Sequence, residues 1–264
     1  MNSSRLTTAV SVREVSLFER HVNLRLPFRF GAATVTQCPQ AFVRVRVDVA
    51  GKSFEGASAE LMVPKWFDKS SGLTHAQNFE QLREALRCAR ESYLTADVPV
   101  SPYVLSLTQG EAAISTSVAR SLPRLAAQFG SALLDKAIAD AVLRATGQNW
   151  VDGLSRGVLG DPWSGKITLH TASTVWVRHT VGLADRIVAS DPGTDPADGL
   201  PATLEQAIAH YGLRYFKIKL SGQADADRDR LTRIASVLAA SAADYRVTLD
   251  GNETFSSAQS LGEF

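Results

Sequence analysis

Two short stretches of the 264-residue chain gather polar groups at strand-like spacing: Tyr215-Phe216-Lys217-Ile218-Lys219-Leu220 and Arg246-Val247-Thr248-Leu249-Asp250-Gly251-Asn252. Side chains alternate across a β-strand, so Lys217 and Lys219 share one face while Phe216, Ile218 and Leu220 take the other. The same alternation turns Asp250 and Asn252 to one side at the end of their strand. Between the stretches runs an amphipathic segment, roughly 226–240, with Leu231, Ile234 and Leu238 on one helical stripe. Strand, helix and strand make a βαβ unit, whose parallel strands are normally buried on both faces, where unpaired charge is costly. Two ammonium groups, a carboxylate and an amide on such strands point to a site that handles charge rather than to packing.

The remaining elements must position that unit. Residues 42–49 alternate valines with charged side chains. Ala50-Gly51-Lys52 turns the chain into Ser53-Phe54-Glu55-Gly56-Ala57, and Val10, Val12, Val15 and Leu17 suggest an earlier strand. Together these predict a three-stranded antiparallel meander with one solvated face. Residues 24–38, with Pro27-Phe28-Arg29-Phe30-Gly31, read as a loop that could cover a pocket, and a second irregular, aromatic-rich segment with Lys65 and Trp66 lies between residues 60 and 72. Helical spacing follows over 75–94, 109–121 and 122–146, the last ending at Gly147. Residues 1–150 therefore read as an α+β domain and 151–264 as an alternating strand and helix region. In the second region, 167–172 is the expected first strand, 178–201 a turn-rich insertion, and 202–211 a helix before the lysine strand.

Composition excludes several classes. A net charge of +1, with basic and acidic residues interspersed, argues against nucleic-acid and membrane-surface partners. No apolar run is long enough to span a bilayer and the first ten residues lack a signal-peptide core, so the expected location is cytoplasmic. Cys38 and Cys88 stand apart, without disulfide-framework or zinc spacing. Gly157 and Gly160 lack the third glycine of a dinucleotide fingerprint. His170, on the expected first strand, reads as a surface or core histidine.

Lys217-x-Lys219 followed by Asp250-x-Asn252, behind such an N-terminal domain, resembles the enolase superfamily, in its mandelate racemase and muconate lactonizing enzyme branch. The resemblance extends through the junction, with Asp140-Ala141-Val142-Leu143-Arg144-Ala145-Thr146-Gly147 and Gly157-Val158-Leu159-Gly160. It implies a capping domain followed by a TIM-like (β/α) barrel, and the two motifs correspond to the second and third barrel strands. The implied chemistry is removal of a proton alpha to a carboxylate, with the enediolate held on Mg²⁺. By the resemblance Lys219 is the base, its pKa lowered by burial and by the ammonium of Lys217. Lys217 offers positive charge to a small carboxylate substrate, Asp250 is a metal ligand, and Asn252 orients the site by hydrogen bonding. Phe28, Arg29, Phe30, Lys65 and Trp66 fall in implied substrate-capping loops. A homo-oligomer is implied for the parent enzyme.

One departure is large. A complete barrel of eight repeats needs roughly 200 residues or more, and only about 100 follow the capping domain here. The expectation is an incomplete barrel of about three strands, lacking the further acidic ligands and the second acid or base. A fragment of a longer enzyme, inactive alone, is expected, with a non-catalytic piece that at most folds with or binds another chain as the alternative.

Overall fold

The structure, a computed structural model, describes residues 8–31, 33–160, 162, 169–241 and 244–264. The chain divides into two compact units: residues 1–22 with 38–172, and residues 23–37 with 173–264.

The first unit contains the meander except for residues 23–37, the end of its first two strands. Strands β1 (Val10–Phe30), β2 (Ala33–Val49) and β3 (Lys52–Leu61) form an antiparallel sheet in that order. Val43, Val45, Val47 and Val49 are buried as the alternation requires. Helices α1 (His75–Leu94), α2 (Pro102–Leu105), α3 (Glu111–Ala119), α4 (Arg124–Thr146) and α5 (Trp150–Ser155) follow. Helix α1 begins in a capping box of Thr74 and Gln77, and α4 ends, as expected, at a left-handed Gly147 with φ 62°. The helical segment expected over 109–121 starts earlier. Pro102 occupies the first turn of α2 behind Ser101, whose Oγ accepts the Val104 amide, so this proline opens a helix. A π turn over Ser106–Gly110 joins α2 to α3.

The alanine-rich face of α4 does pack closely. A methyl group on Gly130 would lie 2.0 Å from the Ala85 carbonyl oxygen, and one on Gly56 2.2 Å from that of Ala137. Backbone is the obstacle at both, and it cannot swing aside like a side chain. Gly130→Ala is expected to cost about 2 kcal/mol of stability, measured by urea unfolding; an unchanged midpoint would refute the close approach.

The boundary expected after residue 150 falls later. Val158 and Leu159 are buried in the same core as α4, and Gly153 packs against the Leu143 side chain, which keeps α5 and its following turn in the first unit. The segment read as a loop over 24–38 is instead a β-hairpin. Leu24, Leu26 and Phe28 are partly buried, Phe30 is buried, and the intervening Asn23, Arg25, Pro27 and Arg29 are exposed. That period of two extends the strand through Pro27, which β1 tolerates as an edge strand.

The second unit is a three-stranded parallel sheet, β4 (Arg178–Val181), β5 (Tyr215–Lys219) and β6 (Arg246–Asp250), with α6 (Leu204–Tyr211), α7 (Ala224–Ser241) and a short α8 (Ala258–Glu263). Phe216 and Ile218 of β5 form a core with Val181, Leu204, Ile208, Ile234 and Leu238. Among the described residues the first parallel strand is β4, inside what read as an insertion. Ile167 and Thr168 lie outside the described residues, 169–172 are in no strand, and His170 is exposed. No helix of the described residues is long and apolar enough to cross a membrane.

Candidate active site

Strand β5 stands at the centre of the parallel sheet. Its register sets Lys217 opposite Thr180 of β4 and Thr248 of β6, and Lys219 opposite Asp250. Since partners in register share a face, Lys217 and Lys219 project away from the helix-covered side that holds Phe216 and Ile218. The turn after Lys219 is fixed by buried Asp227, whose carboxylate accepts the amides of Ser221 and Gly222 and the Ser221 hydroxyl.

The four residues singled out from the sequence converge. Asp250 Oδ2 lies 2.8 Å from both Lys217 Nζ and Lys219 Nζ. Lys219 Nζ also donates to Asn252 Oδ1 at 2.6 Å. The Lys219 side chain is only 7% exposed, against 27% for Lys217 and 28% for Asp250, so one ammonium is enclosed and the other faces out. Burial pushes the Asp250 carboxyl up, but hydrogen bonds from Lys217, Lys219 and the Asn252 amide outweigh it and hold the group well below the usual carboxylate range.

Asn252 reaches Lys219 by a different route from the one expected. Strand β6 ends at Asp250, and Asn252 and Glu253 are both left-handed, with φ 48° and 66°. The Asn252 amide donates to Asp250 Oδ1, and this turn, not strand alternation, aims its side chain back.

The hairpin belongs to the same unit and ends beside these residues. A methyl on Gly31 would lie 4.0 Å from Asn252 Cβ, the Leu183 amide donates to the Arg29 carbonyl, and a methyl on Gly182 would lie 3.2 Å from the Phe28 ring. Phe28 and Phe30 rings are 5.5 Å apart. Lys65 and Trp66 belong to the other unit. Lys65 closes its own loop, donating to the Ser70 and Leu73 carbonyls at 2.6 Å, so its ammonium is engaged by backbone; Trp66 lines a cleft with Phe67, Leu125 and Phe129.

The sequence reading missed three groups around β4. Thr180 shares the lysine face. On the opposite side, His179 and Asp185 line a cavity of about 420 Å³ with Leu26, Phe28 and Leu204. Burial lowers the His179 pKa and raises that of Asp185. The alternation of Val177, His179 and Val181 was the available signal. Among the described residues no group of three or more histidine, cysteine, aspartate or glutamate side chains is placed to hold a metal ion.

No family model matches the chain, and no curated protein does. Solved structures do match, and they define the fold: it is that of mandelate racemase and muconate lactonizing enzyme type structures, as far as the chain extends along them. A dipeptide epimerase from Methylococcus capsulatus, complexed with Mg and the dipeptide L-Arg-D-Lys, superposes with TM-score 0.57 at 20% identity, over 96% of this chain and 57% of that one. A muconate lactonizing enzyme from Mucobacterium Smegmatis, complexed with muconolactone, gives 0.58 at 18%, over 96% and 55%. An enolase from Bradyrhizobium with magnesium and mandelic acid gives 0.56 at 16%, over 94% and 55%. The chain spans little more than half the length of each, and the parallel sheet is correspondingly a partial barrel.

Proposed function

We propose that the chain belongs to the mandelate racemase and muconate lactonizing enzyme branch of the enolase superfamily and carries part of a site that removes a proton alpha to a carboxylate. The reaction would be of the racemase, epimerase, cycloisomerase or acid-sugar dehydratase type. One observation carries this reading: at the carboxyl ends of adjacent parallel strands Lys217 and Lys219 meet at one carboxylate oxygen of Asp250, and Asn252 holds Lys219 and, through its amide, the other Asp250 oxygen. Catalytic groups of (β/α) barrels collect at that end.

Lys219 is the base, enclosed and aimed by Asn252. As the amine it would take the proton alpha to the carboxylate, the electron pair of the broken C–H bond passing into the enediolate. Lys217, the more exposed ammonium, faces the substrate carboxylate. Phe28 and Phe30, on the hairpin beside Asn252, bear on which substrates fit. Magnesium would stabilise the enediolate, and Asp250 is the hard oxygen donor this chain offers it. A lone carboxylate already engaged by two ammonium groups fits such an ion only in part.

The test is solvent exchange. The full chain is incubated in D₂O with MgCl₂ and a panel of carboxylic acids that includes mandelate and simple dipeptides, and the α-¹H NMR signal is followed. Loss of that signal for at least one acid is the expected result. Exchange with none would sink the proposal and favour the second reading, a non-catalytic polypeptide, which is supported by there being, among the described residues, no group of three or more histidine, cysteine, aspartate or glutamate side chains placed to hold a metal ion. Calorimetric titration with MgCl₂ separates the two further, since that second reading predicts no heat of binding.

A further inference from the structure

The hairpin could be held at the site by packing alone, yet one side chain is built to fasten it. Arg25 lies on β1, three residues before Phe28 and six before Gly31. Its guanidinium forms a fork on Asp198, with Nε to Oδ2 and Nη2 to Oδ1 both at 2.6 Å. The same group donates to the carbonyls of Leu200 and Pro201 at 2.8 Å. Four hydrogen bonds from one side chain thus join the hairpin to the segment that leads from β4 into α6. The fork holds the Asp198 carboxyl down to about 2, so it stays ionised at any ordinary pH. The segment is itself braced: Asp191 accepts the amides of Ile187 and Val188 and an ion pair from Arg233 of α7, while Arg186 donates to the carbonyls of Ala189 and Asp191. Arg25 therefore anchors the hairpin to a braced segment.

We propose that Arg25 is a positioning residue, which latches the hairpin to the 198–201 turn and so fixes Phe28, Phe30 and Gly31 against the lysine and aspartate cluster. The proposal deepens the functional reading above, on which it rests only for what the hairpin serves. A planar fork is needed because a lysine ammonium cannot span two carboxylate oxygens and two carbonyls at once. The hairpin end is where such a clasp acts: Gly31 abuts Asn252, which orients Lys219.

Hydrogen exchange measured by mass spectrometry on the full chain tests this without any substrate. Arg25→Gln is expected to speed exchange about tenfold in peptides covering residues 26–36 and 195–201, leaving β5 and α7 unchanged. Arg25→Lys should loosen the hairpin almost as much, and the reciprocal Arg25→Asp with Asp198→Arg pair should recover part of the protection, a rescue that loss of simple packing would not show. The Asn252 amide resonance should move in Arg25→Gln. Unchanged hairpin exchange, or acceleration spread evenly over both units, would overturn the proposal. Should Arg25→Gln not fold, Asp198→Asn removes the ion pair from the other side and is read in the same way. An absence of α-proton exchange with carboxylic acids leaves the latch standing, and an absent latch leaves that experiment untouched.

Discussion

Replacing Lys219 with alanine is expected to cut α-proton exchange by roughly 10³-fold, within the range that a positioned general base contributes. The expectation rests on enclosure and aim. Lys219 is 7% exposed, bonded to Asp250 and Asn252, and carried on the central strand of a three-stranded sheet. Lys217→Ala should act differently. That ammonium is the more exposed, and its loss is expected to weaken binding of the carboxylate, seen as a raised KM with a smaller change in kcat. Exchange rates from α-¹H NMR on both variants, with circular dichroism to establish folding, decide the matter. Exchange by Lys219→Ala at the parent rate would assign the base elsewhere.

The second large effect is on stability. Asp250→Ala leaves two ammonium groups facing each other, one of them buried, and is expected to destabilise the second unit by about 3 kcal/mol. Lys219→Met should cost far less. It fills the same volume with apolar atoms and leaves Asp250 paired with Lys217. The asymmetry is the measurable point: urea unfolding should rank Asp250→Ala well below Lys219→Met, and equal midpoints would mean that the cluster is solvated. A pH dependence follows with a definite sign. The folded-state pKa of Asp250 lies below its unfolded value, so its contribution is complete above an unfolded value of about 3.9 and is lost as pH falls from there through the folded one. Asp250→Ala should therefore flatten the acid limb of the stability curve.

The site was legible where it obeyed a local rule. The period of two in β5 put both lysines on one face, and helical spacing placed α1, α4 and α7 within a few residues. The parallel strand β4 was hidden because it is four residues long and set among polar, turn-rich sequence, which leaves periodicity little to act on. The hairpin was hidden by its composition: Pro27 and Gly31 are turn formers elsewhere, and here an edge strand and a tip accommodate them. Asn252 was assigned to the right neighbourhood for an incomplete reason, since alternation foretells nothing about two successive left-handed residues. The ion pairs of Asp250 and the Arg25 fork link residues distant in sequence, which no pattern in a single segment encodes.

That last distance bears on how the chain comes to fold. Arg25 and Asp198 are separated by 173 residues, so on a ribosome working at roughly 5–20 residues per second the hairpin waits about 10–35 s for its clasp. During that interval its apolar strand residues have no partner from residues 173–264. Closing so long a loop sets its entropy cost before any contact repays it, which makes docking of the hairpin a late event, after the meander and α4 have formed their own core. The hairpin beside the candidate chemistry is thus made early, and its clasp can close only after residue 198 has been made.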